Sequence, residues 1–147
     1  INHFLSSEPW YFLGHKNFTA TAFDENKQTH SVARYAEYVN LYSATPNIQL
    51  GGVTVRWLVE GLRAQEEIFA KLHQIPCPVL VFQASEDVII KNKAQDDFCA
   101  QLNHIAPALC VNSKPEIIKG AYHEIFFEID SLRIQALEKS LSWFKQH

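Results

Sequence analysis

Methionine is missing from the 147-residue chain, which begins with Ile1. Because removal of an initiator methionine normally requires a small second residue, we expect a fragment or a processed chain rather than an intact gene product. Long apolar runs are missing too, and none approaches the roughly 20 residues that a membrane-spanning helix needs. No charged and then apolar signal peptide opens the sequence. Neither a membrane span nor a secretion signal is therefore predicted.

Cysteine is scarce, with only Cys77, Cys99 and Cys110 in the chain. The three form no C-x-x-C pair, and an odd number cannot all pair with one another. This usage favours reduced thiols in a reducing compartment. We therefore expect a cytoplasmic protein.

The chain also lacks an excess of positive charge. Its formal net charge is −3, and its seven histidines are scattered. Without a basic stripe, nucleic acid is not an expected partner. The histidines show no H-x-x-x-H spacing with a third ligand, so neither a metal nor another cofactor is expected.

Helical spacing begins after the aromatic-rich residues 1–29, which show no sustained period. Ser31 can cap a helix whose aromatic face includes Tyr35 and Tyr42. Thr54 can cap a longer helix with an apolar stripe along one side. Residues 1–29 are therefore predicted to be mostly irregular, followed by one helix from Ser31 and a longer one from Thr54.

The pattern changes after residue 76. Residues 79–84 are almost continuously apolar and β-prone, as parallel strands buried on both faces are. A helix from about residue 92 to 103, a second strand at residues 116–119 and a last helix from Ile125 follow. This order predicts an α/β fold, a strand-helix-strand unit of a parallel sheet whose ligands gather at the carboxyl ends of the strands.

Two strands do not suffice for such a sheet, because isolated pairs are marginal and parallel pairs need both faces covered. Further strands must then come from outside the chain. We expect them from a missing N-terminal half of the same protein, with a second copy paired at a sheet edge as the alternative.

Asp87 and His123 each follow one of the predicted strands, so both should stand at the same edge of the sheet. An imidazole can take and return a proton near neutral pH, and a carboxylate partner would orient it. Asp followed by His is the end of the Ser…Asp…His chain order of α/β-hydrolases. The G-x-S-x-G elbow that would carry the serine is absent, since no two of the five glycines are four apart.

Four segments of the chain resemble the bacterial lysophospholipase L2 group of α/β-hydrolases, which is related to monoacylglycerol lipases. Residues 50–57, Gly-Gly-Val-Thr-Val-Arg-Trp after Leu50, are the most specific to that group. The segments are residues 23–31 with Arg34 and Tyr35, residues 50–57, residues 78–87, and residues 120–124 with Phe127 and Glu128.

The resemblance implies that residues 1–53 are a lid or cap segment and that residues 54–147 are the C-terminal part of the catalytic domain. It implies that Asp87 is the acid and His123 the base of a Ser-His-Asp triad. The nucleophile and the oxyanion hole would lie outside this chain, which alone should be inactive. The implied substrate is the carboxylic ester of a lysophospholipid, with a monoacylglycerol or another ester as the alternative. Peripheral contact with the inner membrane is a further expectation.

Each assignment has a plainer rival. Asp87 could be an ordinary turn or helix-capping carboxylate, Glu86 could be the acid instead, and His123 could be a hydrogen-bonded histidine without a role. Glu124 and Glu128 are interpreted as structural, since carboxylates are favoured at the start of a helix.

The aromatic residues allow two interpretations. They could line an acyl-chain pocket or contact the membrane interface, although such stripes are more often ordinary core. A non-catalytic lipid-binding or assembly module is the rival function. The chain departs from the family at two places, with Ser85 where relatives often have glycine and a long loop at residues 109–114. The aromatic residues concerned are Trp10, Tyr11, Phe12, Tyr35, Tyr38, Tyr42 and Trp57.

Overall fold

The computed structural model describes residues 10–107 and 109–147. Within them, four α-helices accompany two parallel strands, and short 3-10 turns join several of these elements. The predicted α/β class is confirmed. The helices are α1 (Val32–Ala44), α2 (Val55–Ala70), α3 (Asn92–Ile105) and α4 (Asp130–Gln146), and the strands are β1 (Phe82–Ala84) and β2 (Glu116–Ile118).

The chain divides into two compact units. The first combines Tyr38–Lys71 with the described part of Ile1–Thr21, and the second combines Ala22–Glu37 with Leu72–His147. These units do not follow the expected border between residues 53 and 54. Residues 22–37 join the second unit because residues 26–31 are hydrogen-bonded to the loop that carries His123. The lid role of residues 1–53 stays a prediction.

In the first unit, Thr54 caps α2 as predicted, because its Oγ1 accepts a hydrogen bond from the main-chain N–H of Trp57 at 3.1 Å. Gly52 is needed just before this cap, since a Cβ there would lie 2.5 Å from Nδ1 of His15. The same Nδ1 accepts the N–H of Val53 at 3.0 Å. The glycine pair thus lets a loop of the N-terminal segment approach the start of α2.

Part of the predicted aromatic face of α1 packs against other rings within the first unit. The ring of Phe18 lies 5.1 Å from that of Tyr42, and the rings of Tyr38 and Tyr42 are 4.5 Å apart. Aromatic pairs at such distances stabilise a fold beyond their buried area. Part of this stripe is therefore ordinary packing.

In the second unit, β1 and β2 pair in parallel, with Ala84 opposite Ile118. The small core on this sheet consists of Ala84, Ile118, Ala121 and Ala136, and Leu132 packs against it. Because Ala136 belongs to α4 and is fully buried, its small side chain lets the helix approach the sheet closely. The sheet has two strands among the described residues.

The predicted first strand is shorter than expected. Only Phe82–Ala84 forms a ladder, and Val79 makes an isolated bridge to Cys110. Between that bridge and β2, residues Val111–Ser113 form a 3-10 turn in which Asn112 and Ser113 have φ values of 54° and 59°. Because these two residues have a left-handed conformation, the segment opposite the predicted strand turns away, and the pairing between the Val79 bridge and β1 is interrupted.

The expectation of reduced thiols was wrong for two of the three cysteines. Cys99 on α3 and Cys110 form a disulfide with a Cα–Cα distance of 5.3 Å, while Cys77 is free and exposed. An odd cysteine count does not prevent one pair from forming. The bond ties the start of the loop at residues 109–114 to α3.

The last helix begins at Asp130 rather than at Ile125. Ile125–Phe127 is instead a separate 3-10 turn, and Glu128 after it has extended backbone. The cause is the side chain of Glu128, which bends back to bind main-chain N–H groups, including that of Ile129 at 3.1 Å. None of the helices in the described residues has the length and apolar character of a membrane span.

Removing the disulfide should destabilise the protein. The bond closes a loop with a sequence separation of 11, which corresponds to about 3 kcal/mol of the free energy of unfolding. Urea unfolding of a Cys99→Ser, Cys110→Ser variant should show that loss, and reductant should produce a similar loss in the parent protein. Cys77→Ser is the matched control and should change neither curve. A parent protein insensitive to reductant, with both thiols open to alkylation, would contradict the disulfide.

Candidate active site

The parallel register brings two loops to one edge of the sheet. Ala84 ends β1 and Ile118 ends β2, and these two residues are paired. Beyond them the loops stay in contact, since Ser85 donates its N–H to the carbonyl of Ile118 at 3.2 Å and Glu86 donates to Ala121 at 3.0 Å. Asp87 and His123 therefore leave the sheet side by side.

The structure places the side chains of Asp87 and His123 in direct contact. Oδ2 of Asp87 lies 2.8 Å from Nδ1 of His123. The Asp87 side chain is only 3% exposed and that of His123 is 28% exposed. Because a carboxylate only accepts hydrogen bonds, Nδ1 carries the proton in this pair. The neutral ring then presents Nε2 as its proton acceptor.

The second oxygen of Asp87 is held by the main chain. Its Oδ1 accepts the N–H groups of Ile89 at 2.8 Å and Ile90 at 3.1 Å. Burial alone raises the pKa of this carboxyl, but the hydrogen bonds from His123, Ile89 and Ile90 outweigh it and hold the pKa below its ordinary value. Asp87 is thus an ionised, oriented carboxylate at neutral pH, although it also has the features of a turn-capping residue.

Ser85 connects the two loops. Its Oγ accepts the N–H of Gly120 at 2.7 Å, and Gly120 has a φ of +84°, a conformation that favours glycine. The serine that departs from the family pattern therefore leaves the acid in place. It adds a bond between the loop of Asp87 and the loop of His123.

Other carboxylates in this part of the chain are not brought to His123. Glu86 has an exposed side chain, and only its main chain binds the neighbouring loop. Asp96 accepts a hydrogen bond from Gln83, and Asp97 pairs with Lys93. Asp87, and not its rival Glu86, is the carboxylate that contacts His123.

A second buried carboxylate lies beside this pair and was not recognised from sequence as part of the site. Glu128 is fully buried, and its Oε1 accepts the N–H of Tyr122 and contacts Nδ1 of His30, both at 2.8 Å. Its Oε2 accepts the N–H of His30 at 2.9 Å and that of Ile129 at 3.1 Å. Glu124 is exposed.

Burial raises the pKa of the Glu128 carboxyl, but the N–H groups of Tyr122 and His30, the His30 ring and the N–H of Ile129 lower it below the ordinary value overall. The ring of His30 packs against that of Tyr122, with centroids 3.7 Å apart and planes tilted by 30°. The one sequence signal for this cluster is that both segments that carry it, residues 23–31 and residues 120–128, resemble the same family. His30 and Glu128 are 98 positions apart, and no local periodicity connects them.

The first unit contains an apolar recess of about 390 Å³. Trp57 lies at its wall and is 65% exposed, and Leu50 is more exposed still. Among the residues that the structure describes, no group of three or more His, Cys, Asp or Glu side chains could hold a metal ion. The recess is lined by Tyr11, Leu50, Gly51, Gly52, Val53, Thr54 and Trp57.

The arrangement at the sheet edge can move a proton. A buried carboxylate fixes one ring nitrogen of a histidine, and the other nitrogen can accept a proton from a nucleophile. Comparison with known proteins agrees with this chemistry. A model of the serine aminopeptidase S33 family matches residues 8–130, which include both Asp87 and His123. The chain belongs to this family of α/β-hydrolases.

Individual relatives give a narrower match. Lysophospholipase L2 of Escherichia coli K12, like that of E. coli O6:H1 strain CFT073, is 36% identical over 137 residues. A probable lysophospholipase L2 of Haemophilus influenzae is 29% identical over 134 residues. These alignments cover 93% and 91% of the chain but 40% of each relative. The resemblance to the lysophospholipase L2 group is confirmed, and the chain spans about two fifths of its relatives' length.

The depressed pKa of Asp87 should make the free energy of unfolding depend on pH in the acid range. Its pKa is depressed in the folded state, so its stabilising effect is present above the unfolded pKa of about 3.9 and is lost as the pH falls through the folded value. In urea unfolding, the stability difference between the parent and Asp87→Asn should shrink as the pH is lowered below about 4. Glu86→Gln is the control on the same loop and does not touch His123. A difference that is constant with pH would contradict the argument.

Proposed function

We propose that this chain supplies the acid and the base of a serine hydrolase that cleaves carboxylic esters. The observation that carries the proposal is the hydrogen bond between a buried Asp87 and a partly exposed His123 at the carboxyl edge of a parallel sheet. Membership of a serine hydrolase family supports it. The chain matches 40% of each relative. The nucleophile and the oxyanion hole would lie in a part of the protein that corresponds to the remainder of the relatives.

In the proposed mechanism, Nε2 of His123 takes the proton of a serine hydroxyl as its oxygen attacks the ester carbonyl. The imidazolium then gives this proton to the departing alkoxide, which leaves as an alcohol, and the acyl group stays on the serine as an acyl-enzyme. His123 next deprotonates a water that attacks the acyl group. The imidazolium returns this second proton to the serine oxygen as the acyl–oxygen bond breaks, so that a fatty acid and the free serine result.

Asp87 would act through His123 in both halves of the cycle. Its Oδ2 keeps the proton on Nδ1 and so keeps Nε2 ready to accept. When the ring becomes positively charged, the adjacent carboxylate stabilises it. The two main-chain N–H groups on Oδ1 keep the carboxylate from rotating away during these steps.

The proposed substrate is a lysophospholipid, because the relatives that match most of this chain carry the name lysophospholipase L2. An exposed apolar recess with Trp57 and Leu50 at its wall suits an acyl chain. A monoacylglycerol lipase or a general carboxylesterase is the alternative. Turnover on lysophosphatidylethanolamine compared with a monoacylglycerol of the same acyl chain separates them, and a preference for the former supports the proposal.

Residues 1–53 would form the lid of such an enzyme. The exposed Trp10, Phe12 and Leu13 are suited to peripheral contact with a lipid surface. The first nine residues of the proposed lid lie outside the described residues. A cytoplasmic location stays a prediction. It was inferred from reduced thiols, and the Cys99–Cys110 disulfide argues against that inference, since disulfides persist in oxidising compartments.

The rival interpretation, a non-catalytic lipid-binding or assembly module, predicts no role for the pairing of Asp87 with His123. It would have the two-stranded sheet complete itself with a second copy. In the proposed hydrolase, the missing strands come from the same polypeptide. The mass of the whole protein in solution, with and without added lipid, distinguishes the two interpretations. A monomer argues against pairing with a second copy.

Replacing either partner should abolish turnover of the whole protein. His123→Ala removes the base, and Asp87→Asn leaves the wrong ring nitrogen protonated, so each should lower kcat by about 10⁴-fold. The measurement is hydrolysis of a soluble ester under saturating conditions. His104→Ala is the matched control, because His104 is exposed near the end of α3. Full turnover by His123→Ala would overturn the assignment.

A further inference from the structure

Glu128 is a charged group in an unusual position. Its side chain is fully buried, and an isolated ionised carboxylate inside a protein is costly. Here three main-chain N–H groups, those of His30, Tyr122 and Ile129, donate to its two oxygens. Such charge-assisted bonds are about twice as strong as neutral ones. The carboxylate therefore organises the chain around it.

In the loop that carries His123, all five main-chain N–H groups from Gly120 to Glu124 are hydrogen-bonded. Gly120 donates to Ser85, Ala121 to Ile118, His123 to Lys27 and Glu124 to Gln28. Tyr122, directly before His123, donates to Oε1 of Glu128 at 2.8 Å. Of these five consecutive N–H groups, Tyr122 alone binds a charged side chain.

The far side of Glu128 is held by residues 26–31, named here the support segment. Oδ1 of Asn26 accepts the N–H groups of Gln28 and Thr29, both at 3.0 Å. Oγ1 of Thr29 donates to the carbonyl of Phe127 at 2.8 Å. Since Oε2 of Glu128 accepts the N–H of His30 at 2.9 Å, the carboxylate joins the support segment to the His123 loop.

We infer that Glu128 is a positioning residue: its carboxylate fixes the loop of His123 by binding the main chain of Tyr122 on one side and of His30 on the other. The inference rests on the proposed function, since it concerns the placement of the base of that reaction. Displacement of a catalytic group by about 1 Å can cost on the order of 10²-fold in rate. A loop held next to its histidine by a short bond to a buried charge avoids such displacement.

A glutamine at this position cannot replace the carboxylate. Glu128 uses both oxygens as acceptors, whereas glutamine offers one oxygen and an NH₂ group that would face an N–H donor. Either Tyr122 or His30 would lose its partner. The exposed Glu124, four residues earlier on the same loop, provides a matched control for the change of Glu to Gln.

The test compares Glu128→Gln and Glu124→Gln in the whole protein with p-nitrophenyl butyrate as substrate. We expect Glu128→Gln to lower kcat per folded molecule by about 10- to 100-fold with KM within about twofold, and Glu124→Gln to match the parent. The far-downfield proton resonance of the bond between Asp87 and His123 should broaden or vanish in Glu128→Gln only. A purely structural role would lower the unfolding midpoint but leave kcat per folded molecule and this resonance unchanged, which would overturn the inference.

If Glu128→Gln does not fold, Glu128→Asp carries the test. It keeps the charge and both oxygens but is one methylene shorter, so kcat should still fall at unchanged KM, and an unchanged kcat would overturn the inference. If Asp87→Asn and His123→Ala keep full turnover, the proposed function fails. If those two lose turnover while Glu128→Gln keeps the parent's kcat and resonance, the positioning role alone fails.

Discussion

The parallel pairing of Ala84 with Ile118 is the constraint on which the rest of the second unit depends. Because both strands end at the same edge, the loops that follow them start as neighbours and bind each other through Ser85 and Ala121. Asp87 and His123 then need only short loops to meet. Small residues in the core below them allow α4 to cover the sheet, and this packing holds the edge in place.

Two buried carboxylates divide the work at this edge. Asp87 binds the ring of His123, and Glu128 binds the main chain beside it. Burial raises the pKa of each carboxyl, yet hydrogen bonds hold both pKa values below the ordinary range. Both groups are therefore charged at neutral pH. One carboxylate prepares the histidine for proton transfer, and in our account the other keeps it in place.

Features decided by neighbouring residues could be predicted from the sequence. The cap at Thr54, the helix expected at residues 92–103 and observed at Asn92–Ile105, and the order of strands and loops all follow from local chemistry. The encounter of Asp87 with His123 was accessible too, since the carboxyl ends of parallel strands lie together. Motif likeness then pointed to the family that the comparisons confirm.

Features decided by distant residues could not be predicted. The disulfide depends on how far Cys110 lies from α3 after the loop has turned back, which spacing alone does not show. The last helix was expected to begin at Ile125 but begins at Asp130. The reason is that the side chain of Glu128 binds the distant N–H groups of His30 and Tyr122. The partition of residues 22–37 into the second unit has the same origin.

The central claim is that His123 is the base of a serine hydrolase, oriented by Asp87. The most direct measurement labels the whole protein with a fluorophosphonate, identifies the modified residue by mass spectrometry and determines the crystal structure of the adduct. The account predicts one labelled serine, with its Oγ within about 3 Å of Nε2 of His123. A labelled residue whose nearest base is another side chain would contradict it.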